Sequence, residues 1–252
     1  MSTPSVVEVL GFPLALAVIA LFYASVGQAG GTGYVAAMGL AGFEPDVIKP
    51  TALALNVLVA AIGAMRFASA GLLTWRSCYP FAILGAPFSI LGGMTNLPLA
   101  IYQPIVGALL LAAAWQMVWS ARSAAQLDEI APTHPPLLPA LIAGAAIGFV
   151  SGVTGVGGGI FLAPLVLTFG WADVRQSAAI STVFNLLNSA AAFAGTWAVL
   201  PSLPAALPWW LLAVGVGALL GSWLGLRRLP PHALRYVLAG LLIAAGLRML
   251  FA

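Results

Sequence analysis

The sequence predicts an all-α, polytopic membrane protein made of two inverted repeats, each a glycine-broken helical hairpin followed by three transmembrane helices. Three observations carry the prediction. Hydrophobic residues make up 62% of the 252 and charged residues only 6%, with a mean hydropathy of +1.07; no soluble chain of this length needs so much apolar surface. Two long apolar stretches, Val6 to Phe43 and Leu137 to Phe169, are each interrupted by a run of glycines and hydroxyl residues. The order of small and polar residues in the first half recurs in the second.

The clearest interruption is Ser151-Gly-Val-Thr-Gly-Val-Gly-Gly-Gly159, with five glycines in nine positions. Each glycine disfavours a helix by about 1 kcal/mol relative to alanine, so the helix breaks here. In hydrocarbon an unwound backbone is tolerated only where protein or a wet cavity encloses it. Ser25-Val-Gly-Gln-Ala-Gly-Gly-Thr-Gly33, followed by Tyr34, is an earlier copy: Ser25, Gly31 and Gly33 fall on Ser151, Gly157 and Gly159, each 126 residues on. Asp46-Val47 then matches Asp173-Val174, Gly85 and Gly93 match Gly217 and Gly225, and Leu97-Pro98 matches Leu229-Pro230. Matches in preserved order indicate internal duplication. Paired broken helices resemble secondary transporters, whose substrate sites lie where such breaks face each other.

In chain order the apolar segments are Val6 to Val26, Tyr34 to Phe43, Val47 to Phe67, Tyr79 to Met94 and Pro104 to Ala121, then Leu137 to Val150, Ile160 to Gly170, Gln176 to Leu200, Leu207 to Leu226 and Ala233 to Phe251. This gives a first repeat over 1–121, a polar linker over 122–136 and a second repeat over 137–252. A full crossing takes about 20 helical residues, and Tyr34 to Phe43 and Ile160 to Gly170 are too short. If each short segment completed a crossing there would be eight crossings, with the basic residues spread almost evenly. If each turns back as a re-entrant hairpin, Arg66, Arg76, Arg122, Arg175, Arg227, Arg228 and Arg235 share one side and leave Lys49 and Arg248 opposite. The positive-inside rule favours the hairpins, with the termini outside the cytoplasm and the linker inside. An odd number of crossings then separates the halves, which makes them inverted.

The remaining residues exclude more than they suggest. The net charge of +3 comes from membrane-flanking residues, so nucleic acid is not an expected partner; the lipid bilayer is. A single cysteine, Cys78, forms no intramolecular disulfide and no metal cluster. His134 lies in the linker and His232 at a helix start, so no metal site and no serine-activating base is expected. No cofactor is expected either. No basic residue precedes the first apolar segment, which is therefore not read as a cleaved signal. Trp75, Trp115, Trp119, Trp171, Trp209 and Trp210 near segment ends read as interfacial anchors. Gly217 and Gly221, like Gly144 and Gly148, read as close helix packing.

The stretch Gly144 to Pro164, Gly-Ala-Ala-Ile-Gly-Phe-Val-Ser-Gly-Val-Thr-Gly-Val-Gly-Gly-Gly-Ile-Phe-Leu-Ala-Pro, resembles the signature of the TauE/SafE sulfite exporter family, also described as toluenesulfonate uptake permeases. Ala178 to Asn185 resembles the small, hydroxyl-rich start of the helix that follows it there. The first-half copy departs from the pattern: Thr32 stands where the second copy has Gly158, and Gln28 is a further departure. The resemblance implies a permease of the bacterial inner membrane for a small sulfur-containing anion, sulfite or an organosulfonate. It names neither the anion nor the direction nor a coupling ion.

An anion also follows from the residues themselves. Hairpins entering from opposite faces aim helix N-termini near Gly33-Tyr34 and Gly159-Ile160 at the bilayer middle, each carrying about half a positive charge. No lysine or arginine is expected deep in a segment, and no carboxylate lies where it could relay protons. The candidate site comprises Ser25, Gln28, Gly31, Thr32, Gly33, Tyr34 and Asn56 from the first repeat, and Ser151, Thr154, Gly157, Gly158, Gly159, Ser181, Thr182, Asn185 and Asn188 from the second. Structural hydrogen bonding between helices competes with this reading for Ser181 and Thr182, while Asn185 and Asn188 share a helical face where an amide needs a partner. Gly158→Leu is expected to fill the site and Gly217→Ala to matter less. Beside a carrier working by alternating access stand an anion-selective channel and, with no catalytic constellation behind it, an intramembrane enzyme or assembly factor.

Overall fold

A computed structural model describes residues 6–73, 75–123, 135–200, 203–225 and 231–251. Among the described residues there are ten helices and no strand: α1 (Val6–Ser25), α2 (Gly31–Leu40), α3 (Pro45–Ser69), α4 (Trp75–Met94), α5 (Leu99–Ser123), α6 (Leu137–Thr154), α7 (Gly159–Thr168), α8 (Val174–Val199), α9 (Leu207–Gly225) and α10 (Pro231–Phe251). Six, namely α3, α4, α5, α6, α8 and α9, have the length and apolar composition to cross a membrane. Leu14, Ile142, Leu212, Leu219 and Val237 are more than half exposed, as a lipid-facing surface requires. The linker residues Asp128, Glu129 and His134, and Arg227 and Arg228, lie outside the described residues.

Local chemistry explains most boundaries. Pro45 occupies the first turn of α3, where its missing N–H costs no hydrogen bond. Asp173 caps α8, its side chain accepting from the Gln176 N–H at 2.8 Å, as a helix N-terminus favours. Pro104 lies inside α5, which starts earlier, at Leu99. The α2 helix begins at Gly31, three residues before the expected segment. Both breaks occur where glycine alone is comfortable: Gly27, Gly30, Gly155 and Gly157 have φ between 76° and 92°, the left-handed region that costs an L side chain roughly 1–2 kcal/mol.

The helices pack across the repeats more than within them. The α1 helix lies on α9, α4 lies on α6 and α8, α5 on α10, and α3 on α8. Swapping each helix for its counterpart five places along turns the α1–α9 pair into α6–α4. These contacts are backbone to backbone. A methyl added at Gly144, Gly148 or Gly152 of α6 would stand 2.2–2.4 Å from the carbonyl oxygens of Phe81, Gly85 and Ser89 in α4, and one at Gly217 or Gly221 would stand 2.2 or 2.0 Å from those of Ala17 and Leu21. Both pairs advance in the same direction, so α4 and α6 run parallel, as do α1 and α9.

This corrects one expectation. Gly217→Ala is no mild change, because the obstacle is the α1 main chain and not a movable side chain. Overpacking of this kind costs about 1–3 kcal/mol. Gly217→Ala should therefore lower the apparent melting temperature by roughly 3–10 °C, whereas Gly240→Ala, where an added methyl meets nothing within 4 Å, should leave it unchanged. Thermal exposure of the buried thiol of Cys78 to a fluorogenic maleimide in detergent measures both.

One aromatic assignment also shifts. Trp75, Trp115 and Trp209 are 68–75% exposed, as anchors should be, but Trp210 is buried at 7% and packs edge-on against Phe12 and Phe43.

Candidate functional site

The two breaks meet. Gly31, the first residue of α2, is so close to the second break that an added methyl would stand 2.1 Å from the Val156 carbonyl oxygen and 3.1 Å from the Asn56 amide carbon. Gly155 through Gly158, between α6 and α7, are all buried, so the unwound backbone is enclosed as membrane physics demands. Thr154 stays with its own helix: its hydroxyl donates to the Val150 carbonyl at 2.7 Å, and the Val156 N–H donates to it at 3.4 Å. The Tyr102 hydroxyl of α5 donates to the Thr154 carbonyl at 2.9 Å.

An asparagine bridge fixes the crossing of α3 and α8 beside the breaks. Asn56 Nδ2 donates to Asn185 Oδ1 at 3.1 Å and to Ser189 Oγ at 2.7 Å. Asn185 Oδ1 also receives the Gly159 N–H, the first of α7, at 3.3 Å. Gly157 is held against this bridge, with an added methyl 2.4 Å from Asn56 Nδ2 and 2.6 Å from Asn185 Oδ1. Asn185 therefore serves the packing and the site together.

A cavity of about 140 Å³ opens from this junction. Of the residues singled out from sequence, Gln28, Gly31, Thr32, Gly157, Gly159, Ser181, Thr182 and Asn185 line it. Ser25 lines a neighbouring cavity of about 340 Å³ instead. Gly33, Tyr34, Asn56, Ser151, Thr154, Gly158 and Asn188 are not in the wall. Gly158 faces Phe184, Ile147 and Asn188. Asn188 is fully buried with no partner for either amide atom. Thr32 shares a 2.7 Å hydrogen bond with the Tyr23 hydroxyl, and Thr182 donates to the carbonyls of Ala178 at 2.8 Å and Gly27 at 3.3 Å.

Sequence reading overlooked part of the wall. Gln116 and Trp119 of α5, Ser177 of α8 and Arg235 of α10 all line the cavity. The sequence reading of Arg235 as a flanking charge alone is corrected: from near the start of α10 it also lines this cavity. Buried oxygens of Gln28, Gln116 and Ser181 face no protein hydrogen-bond partner, and no aspartate or glutamate stands among the described lining residues. A cavity with hydroxyls, amides, a guanidinium and two glycine-rich helix starts suits an oxyanion.

The second correction is Lys49, which is buried at 3% exposure. Its Nζ donates to the carbonyls of Gly92 at 3.2 Å, Gly93 at 2.7 Å and Thr95 at 2.8 Å, satisfying acceptors that the end of α4 leaves open. Gly155 packs on its backbone. By the 129-residue separation that relates Asn56 to Asn185, Lys49 corresponds to Ala178, which has no ammonium to offer. Lys49 thus ties the start of α3 to the end of α4 at its end of the bundle, where a cavity of about 100 Å³ lies. The end with Ala178 holds both the 140 Å³ and the 340 Å³ cavities.

Comparison with known proteins agrees with this architecture. The profile of the family described as Sulfite exporter TauE/SafE matches residues 12–249. A probable membrane transporter protein of Sinorhizobium fredii is 51% identical over 244 residues, covering 97% of this chain and 99% of that protein. Another, of Methanocaldococcus jannaschii, is 28% identical over 225 residues, covering 82% and 80% respectively. No solved structure matches the chain significantly.

Proposed function

The chain belongs to the sulfite exporter TauE/SafE family and is a multi-pass membrane transporter, and from that premise we propose that it carries a small sulfur oxyanion, sulfite or an organosulfonate, by alternating access across a bacterial inner membrane. The observation that carries the reading is the cavity where the breaks meet, walled by the Gln28 and Gln116 amides, by the Ser181 hydroxyl, which lacks a protein partner, and by Arg235, with no described carboxylate. Amides and hydroxyls donate to sulfonyl oxygens, and the guanidinium supplies charge without entering the midplane.

Alternating access by two inverted repeats is supported by the pattern of contacts. The α1–α9 and α4–α6 pairs exchange under the repeat, and α5 lies against α10 as α3 lies against α8. Gly144 of α6 is level with Phe81 near the start of α4, while Ser177 at the start of α8 donates to the Ala163 carbonyl of α7 at 3.0 Å. On the hairpin reading, α6 and α7 start and finish on the side of Arg66, Arg76, Arg175 and Arg235, the cytoplasmic side by the positive-inside rule. The conformation is then open inward and closed outward at Lys49. The extent of the two repeats, 1–121 and 137–252, follows the same logic.

Reconstituted protein should exchange ³⁵S-sulfite or a labelled organosulfonate across vesicle membranes and concentrate it transiently by counterflow. A potential of 100 mV acts on each net charge moved with about 2.3 kcal/mol, so net flux without a coupling ion should run toward the positive side. Flux without counterflow would identify a channel, and no flux for any sulfur oxyanion would overturn the proposal.

A further inference from the structure

We infer a second oxyanion subsite at the opposite end of the α5–α10 pair, in the cavity of about 100 Å³ lined by Gln103, Arg248, Glu44 and Tyr102. It rests on the transport reading and adds to it the place where the anion is taken up or released on the outer side.

The placement follows from the repeat. Leu97-Pro98 matches Leu229-Pro230 at a separation of 132 residues, and the same separation sets Gln103 on Arg235 and Gln116 on Arg248. Thus α5 carries a glutamine toward each end and α10 an arginine toward each end, 13 residues apart in both cases, or roughly 20 Å along a helix. Gly107 of α5 stands against Gly246 of α10. An antiparallel pair in that register brings Gln116 beside Arg235 and Gln103 beside Arg248. The cavities agree: one wall holds Gln116 with Arg235, the other Gln103 with Arg248. Two chemically equivalent glutamine–arginine pairs therefore stand at the two ends of a single helix pair, related by the internal repeat.

Arg248 is exposed and donates to the Leu40 carbonyl at the end of α2, which leaves the rest of its fork of donors for an anion. Tyr102, in the same wall, is tied to Thr154 of the second break by its 2.9 Å hydrogen bond, so the subsite adjoins the junction from outside as the inner cavity does from inside. Glu44, exposed in the same wall, is the opposing charge, and Glu44→Gln should strengthen anion capture.

The test needs no transport. In the full chain with Cys78→Ala, reconstituted in vesicles, the thiol of Gln103→Cys is reacted with a sulfonatoethyl or a trimethylammonioethyl methanethiosulfonate, each rate normalised to that of free mercaptoethanol. The anionic reagent should be preferred about fivefold or more, as expected for one nearby cation at partly screened distance, and Arg248→Gln should abolish the preference. Millimolar methanesulfonate should slow the reaction only when Arg248 is present. Equal normalised rates, or a preference that survives Arg248→Gln, would overturn the subsite. With transport as readout, Arg248→Gln should raise the outer half-saturation for ³⁵S-sulfite about tenfold and leave the inner one within twofold, and Arg235→Gln the reverse. An equal rise on both sides would also overturn it. A chain that passes the thiol test but carries no sulfur oxyanion would refute the transport reading alone.

Discussion

Gly31→Ala should cut exchange roughly a hundredfold while leaving the protein inserted and folded. The added methyl would stand 2.1 Å from the Val156 carbonyl oxygen, a main-chain atom in the middle of the other break, so relief requires the two breaks to part. Overpacking against backbone costs about 3 kcal/mol at the upper end of its usual range, which corresponds to roughly a hundredfold loss if it falls on the state that binds the anion. The initial rate of ³⁵S-sulfite exchange, normalised to monodisperse protein, measures it, with Gly240→Ala as the control. A rate within twofold of the parent would show that the closeness of the breaks does not matter.

Lys49→Met should shift the resting orientation toward the outward-open state. Methionine fills much of the same volume but leaves the carbonyls of Gly92, Gly93 and Thr95 without the donor that now reaches all three. A hydrogen bond to a charged group contributes about 1.5–3 kcal/mol, so losing this set should shift the inward-to-outward ratio at least about tenfold. The thiol of Gln28→Cys, placed in the inner cavity, should then react at least about ten times more slowly with an impermeant reagent applied from the inner side. Lys49→Arg should retain part of the closure. Unchanged inner reactivity in Lys49→Met would mean that the lysine only caps α4.

Much of this was legible in the amino-acid order because glycine leaves a strong mark. A helix cannot run through Ser151–Gly159 or Ser25–Gly33, and both breaks are where the glycines put them. The need of a buried amide for a partner was legible at Asn185 and Asn188; Asn56 meets it for Asn185, whereas neither amide atom of Asn188 has a protein partner. Lys49, Arg235 and Arg248 were harder. A charge four residues into α3 reads as a flank, and nothing local reveals that the end of α4 folds over it. Gln116 sits in an apolar run between Trp115 and Met117, and only its pairing with α10 gives it a role. Gly217 failed for a related reason: spacing signals close packing without saying whether the neighbour is a side chain that yields or a main chain that does not.

The cross-repeat packing also sets a schedule for synthesis. Ala17 is covered by Gly217, its partner 200 residues further along the chain. At 5–20 residues per second, α1 leaves the ribosome roughly 10–40 s before the helix that covers it. Its small-residue face, with Pro13 within the helix, spends that interval against lipid or the insertion machinery. By contrast α4 waits only for α6, some 60 residues behind, and can pair within seconds. The second break can therefore be enclosed as its half emerges, whereas the first acquires its final surroundings only after α9 arrives.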